Sequence, residues 1–150
     1  MFDQNAPPAK GGPMAHGQNL QVLARAPAER LKPLAESLLP HLDAPEVLQS
    51  RTGLVLLPMR DTVEGTDFHL GEVLVSEAHL RHGGHQGYGM IVGRDLERAM
   101  AMAVVDLALD AGIEAQAIAA FLLAETMAQA AEDRATLCAI EATRVEMETF

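Results

Sequence analysis

The sequence predicts an α+β fold: N-terminal helices, a small and mainly antiparallel sheet, then long C-terminal helices and an extended tail. Three observations carry this. Apolar residues recur at helical spacing before Arg51 and again after Asp95. Between them lie three strand-like runs, TGLVLLPM (52–59), LGEVLVSEAHLRH (70–82) and HQGYGMIV (85–92). Gly83-Gly84 separates the last two as a two-residue hairpin turn.

The elements follow in order. Residues 1–16 hold Pro7, Pro8, Gly11, Gly12 and Pro13 and read as a flexible leader to a single domain over 17–150. NLQVLARA (19–26) sets Leu20, Leu23 and Ala24 on one helical face. AERLKPLAESLLPHL (28–42) does the same with Leu31, Leu34, Leu38 and Leu42. Its Pro33 is either tolerated or splits the helix, and Pro40 ends it. DAPEVLQS (43–50) resembles a short third helix, with Asp43 as cap and Pro45 in the first turn. The continuous apolar run at 52–59 predicts a strand buried on both faces, and residues 61–68 a loop. The strand at 85–92 places Tyr88, Met90 and Val92 on one face. Asp95 caps the next helix, with Glu97 in its first turn and Gly112 as its stop. Its apolar arc is wide (Leu96, Ala99, Met100, Ala103, Val104, Leu107), so it should touch the sheet and a second element. Residues 113–142 form a long Ala-rich helix with few large anchors, the composition of a helix packed on another helix or a partner. TRVEMETF (143–150) reads as an extended tail suited to adding a strand to a sheet.

Composition narrows the function classes. A chain of 150 residues, 49% hydrophobic, can bury a real core. With no tryptophan and one tyrosine, that core is aliphatic. The net charge of −10 disfavours nucleic acid and anionic lipid as partners. A single cysteine, Cys138, excludes an internal disulfide and a four-cysteine cluster. It reads as a small buried residue. The N-terminal residues lack the apolar segment of a secretory signal, and the run MAMAVV is too short to span a bilayer. A cytoplasmic protein is the expectation.

The stretch GYGMIVGRD (87–95) draws a nucleotide reading that its spacing refuses. From Gly87 the dinucleotide fingerprint needs glycine at the sixth position, where Val92 stands. No lysine and hydroxyl residue follow the last glycine, so it is not a P-loop. Gly87 and Gly89 instead mark close backbone approach, of a kind another subunit could make. Gly93-Arg94-Asp95 opens a helix, where Arg94 beside the free N–H groups could hold a phosphate. Against that, Asp95 already occupies the anion position as cap, and Arg94 can pair with an acidic neighbour. His82 and His85 face each other across the Gly-Gly turn, but His79 points to the opposite face. Two ligands do not hold zinc, so no metal site is expected. No catalytic signature emerges from the residues themselves.

Taken in order, TGLV (52–55), GT (65–66), F-x-LGE (68–72), GYG-x3-GRD (87–95), the helix with Ala99 and Asp106, and the closing ATRVE (142–146) resemble the PhnG family. VLARA (22–26) is similar too, so the resemblance covers about residues 19–150. The tail departs from the family pattern, reading TRVEMETF where aromatic residues are usual, and the three histidines are not a family feature. The resemblance implies a subunit of the carbon–phosphorus lyase core complex, acting with PhnH, PhnI and PhnJ. It implies PhnI as the direct neighbour, in the displacement of adenine from MgATP by an alkylphosphonate. The product is α-D-ribose 1-alkylphosphonate 5-triphosphate. No catalytic residue and no cofactor of its own come with the resemblance; MgATP is a substrate of the complex. Candidate substrate or interface residues are Arg94, Asp95, Tyr88, Gly87, Gly93, Glu72 and Arg144. The other class of function is a stand-alone phosphate- or phosphonate-binding module built on Arg94 and the helix start.

Overall fold

The computed structural model of the chain describes residues 13–145. The order is α1 (Pro13–Arg25), α2 (Ala28–Leu38), a 3₁₀ turn (Leu39–His41), β1 (Glu46–Arg60), β2 (Asp67–His82), β3 (His85–Val92), α3 (Leu96–Asp110) and α4 (Ala115–Ala142). The strands form one antiparallel sheet in the order β1-β2-β3. The fold is α+β.

α3 is the centre of the molecule. Nine of its residues are buried, from Ala99 to Ala108. One side rests on β2 and β3, the other meets α1 and α2. Leu23, Leu31, Leu38 and Leu42 reach it from the N-terminal helices, and Ala78, Leu80 and Ile91 from the sheet. The wide apolar arc is thus used on both flanks.

The glycines of β3 explain how α3 comes so close. A β-carbon on Gly87 would stand 2.2 Å from the Ala103 carbonyl oxygen, and one on Gly89 would stand 2.1 Å from that of Ala99. Real atoms cannot approach so far, so only glycine lets this strand lie under this helix. The close approach is made by the chain's own helix, which corrects the expectation of another subunit there.

Four further expectations change, and the open alternative at Pro33 resolves as tolerated. α1 reaches back to Pro13, into the stretch read as leader, and uses that proline in its first turn. α2 runs unbroken through Pro33 and gives way to the 3₁₀ turn at Leu39. Residues 43–50 make no third helix: Asp43 and Ala44 turn left-handed, at φ 42° and 57°, and β1 starts at Glu46. The run at 52–59 is not buried on both faces but lies largely exposed within the longer β1. Cys138 is exposed on α4. The tail expectation falls mostly outside the described residues, which end at Val145.

Candidate functional site

The β3–α3 joint is built around Ser76. Its hydroxyl, wholly buried on β2, donates to the Gly93 carbonyl at 2.8 Å and accepts from the Asp95 N–H at 2.9 Å. Gly93 makes the turn with φ 98°, a conformation glycine adopts without strain. The Asp95 carboxylate accepts from the Arg98 N–H at 2.9 Å, as a helix cap does. Arg94 between them is exposed and enters no hydrogen bond or ion pair among the described residues. The cation with structural work is Arg98, which donates to the carbonyls of Ala24 and Ala26 and so closes the end of α1.

Two carboxylates one turn apart on α3 close the outer edge of β3. Asp106, only 2% exposed, accepts from the Tyr88 N–H at 2.9 Å and lies 2.7 Å from His16 Nε2 of α1. Asp110 accepts from the Gln86 N–H at 3.2 Å and lies 3.1 Å from His85 Nδ1. Two of the edge N–H groups that could recruit another strand, those of Gln86 and Tyr88, are therefore already bonded. His79 is spent on the sheet surface, 2.8 Å from Gln86 Oε1 and edge-on to Tyr88. No cluster of three or more metal-ligating side chains occurs among the described residues.

On the sheet face away from α3, the Tyr88 hydroxyl donates to Glu77 at 2.9 Å, and Glu77 also accepts from Arg51. The Arg51 hydrogen bond, aided by that of Tyr88, holds the Glu77 carboxyl below the usual range. Burial first, and the Glu77 carboxylate second, push the Tyr88 phenol up to about 12. The trio is a structural lock, with no nucleophile or base free to act.

What remains open is apolar. β3 pairs with β2 only from Val75 to His82. Beyond it, β1 and β2 continue alone as a two-stranded arm, paired from Leu54 with Leu74 to Arg60 with Asp67. Leu54 (61% exposed), Leu56 (56%), Leu70 (62%) and Phe68 (44%) lie bare along it. The arm tip is closed by Asp61, whose carboxylate accepts from the N–H groups of Val63 and Glu64. Where the arm meets α1, an open groove of about 770 Å³ runs past Val55, Leu57, Val73, Met90 and Val92. Contiguous apolar surface of this kind marks an interaction site.

α4 adds a second bare element. It is held through polar clasps: Arg30 grips Glu125 with two hydrogen bonds, Gln129 donates to the Val22 carbonyl, and Arg25 grips Asp133. Residues 130–145 are all exposed. Leu123 and Met127, each more than 60% exposed, share the side away from the clasps, and Leu137, as exposed, follows one turn after Asp133.

The sequence candidates thus scatter. Gly87 and Tyr88 lie on β3, Gly93, Arg94 and Asp95 at the α3 start. Glu72 is exposed on the arm opposite Leu56, and Arg144 follows α4, bonded to Glu141. The groove beside α1, among the described residues, holds only Tyr88 of them. Sequence reasoning missed Ser76, Glu125 and Gln129, and named Asp106 within the family resemblance without giving it a role. Only Asp106 carried a signal, as the lone charge inside MAMAVVDLAL.

Comparison with known proteins fits this picture. The family model described as "Phosphonate metabolism protein PhnG" matches residues 15–150. A protein of Rhizobium meliloti (strain 1021) is 31% identical over 137 residues, covering 89% of this chain and 86% of the relative. That relative is named as the PhnG subunit of α-D-ribose 1-methylphosphonate 5-triphosphate synthase.

Proposed function

This chain belongs to the PhnG family of phosphonate metabolism proteins, and from that membership we propose that it is a non-catalytic subunit of the carbon–phosphorus lyase core complex. It acts with PhnH, PhnI and PhnJ, with PhnI as its direct neighbour, in the cytoplasm. The assembly joins an alkylphosphonate to the ribose of MgATP as adenine leaves, giving α-D-ribose 1-alkylphosphonate 5-triphosphate. The relative's name supports the synthase assembly. The observation that carries the subunit role is the bare apolar arm, because an exposed two-stranded ribbon is marginal in water until something covers it. The ionisable groups agree: the buried carboxylates and Tyr88 are committed to holding the fold.

Co-expression with the three partner subunits tests this. The chain should co-purify with them and depend on them for solubility. A stable, monodisperse chain that leaves the partners behind sinks the proposal. Calorimetry separates the binding-module reading, for which the exposed Arg94 is the one specific support. The isolated chain should give no heat with MgATP and methylphosphonate. Heat abolished by Arg94→Ala would favour that reading instead.

A further inference from the structure

The two edges of the sheet are treated oppositely. On β3 the N–H groups of Gln86 and Tyr88 point away from β2 and are taken by Asp110 and Asp106. Those residues therefore sit in the non-hydrogen-bonded pairs with Arg81 and His79. Alternation then turns the backbone of His79, Glu77 and Val75 toward β1, bonded to Gln49, Arg51 and Gly53. The Leu74 carbonyl agrees, since it faces the β3 side and accepts from the Gly93 N–H. Ser50, Thr52, Leu54 and Leu56 are left with their N–H and C=O groups facing outward. No helix among the described residues covers that row. Register shifts between Val47 and Gln49 and between Leu57 and Pro58 bound it, so the stretch between is regular.

We infer that β1 is a docking edge for an extended strand of another subunit of the assembly, apolar on both faces and without basic residues. This rests on the subunit role proposed above and specifies how the contact is made. Backbone geometry fixes the occupant as a strand, because only an extended chain meets alternating donors and acceptors along an edge. Side chains fix it as apolar, with Leu54 and Leu56 on one face and Val55 and Leu57 on the other. Charge fixes it as a different chain. Residues 49–60 carry Arg51 and Arg60, which face Glu77 and Asp67 of β2, and no carboxylate of their own. Antiparallel pairing of two copies about Val55 would set Arg60 opposite Ser50, beside the other copy's Arg51, at both ends. Two bodies of net charge −10 also repel.

Hydrogen exchange on the isolated chain and on the co-purified assembly, with Leu54→Pro and Leu54→Val, tests the edge. Proline at 54 removes an outward N–H and spares the ladder with β2. In the assembly the amides of Ser50, Thr52, Leu54 and Leu56 should become slow. Leu54→Pro should lower partner recovery about tenfold or more, with Leu54→Val near wild type and both variants melting cooperatively. If the wild-type chain co-purifies while those four amides exchange as in isolation, the docking edge is wrong and the subunit role stands. If the wild-type chain recovers no partner, both fail. A concentration-dependent dimer of the isolated chain that protects the same amides overturns the proposal in favour of a second copy.

Discussion

Gly89 lies so close beneath Ala99 that its α-carbon and the helix backbone are in contact, leaving 2.1 Å between the Ala99 carbonyl oxygen and any β-carbon placed on the strand. Gly89→Ala should therefore destabilise the fold by about 3 kcal/mol or more, since backbone rather than a flexible side chain must give way. Gly93→Ala meets open space and pays only for its positive φ, about 1 kcal/mol. Denaturant melts of the two variants should separate them clearly.

Asp106 anchors three elements at once. Asp106→Ala leaves the part-buried Tyr88 N–H without its acceptor and His16 without its partner. A loss of about 3 kcal/mol is expected. His16 is more than half exposed, so His16→Ala should lose about 1 kcal/mol. Equal losses would show that Asp106 serves α1 alone rather than the strand edge.

Tyr88 is the only tyrosine in a chain without tryptophan, so its ionisation can be followed by ultraviolet absorbance. Its midpoint should lie near 12, held there by burial and by Glu77. Glu77→Gln should bring it down part of the way, because burial, the larger cause, remains. The unfolded chain loses this proton first, so Tyr88 takes stability away as pH rises from about 10 toward 12. A wild-type midpoint at 10 would remove the lock.

Leu54→Ser with Leu56→Ser changes two side chains already more than half exposed. The isolated double variant should be more soluble than wild type, with its melt within about 0.5 kcal/mol. The same variant should bind its partners poorly. A large loss of stability in isolation would mean the arm packs against its own chain.

Much of this fold was legible because the signals were local. Asp95 capped a helix, Gly83-Gly84 made the hairpin turn, and α3 showed a two-sided apolar arc. The failures share a cause. Apolar runs announce burial, and the sequence does not say whether the cover lies in the same chain. The run at 52–59 is as apolar as a central strand, yet stands at the sheet edge. Residues 43–50 carried helix-cap chemistry that a left-handed turn overrode. The contacts of Glu125, Gln129 and Asp106 span about ninety residues or more, beyond any periodicity. Arg94 drew attention by motif, while Arg98, one turn later, does the joining.

The two sheet edges give the subunit a direction. With Gln86 and Tyr88 of β3 already bonded to its own helix, β1 is the freer edge past which the sheet could be lengthened. On the docking proposed above, one added strand would use up the β1 edge, and the chain would act as an end-piece that finishes another protein's sheet. A wrong strand that reached β1 first would then block the right one. Its partner should therefore be made alongside it.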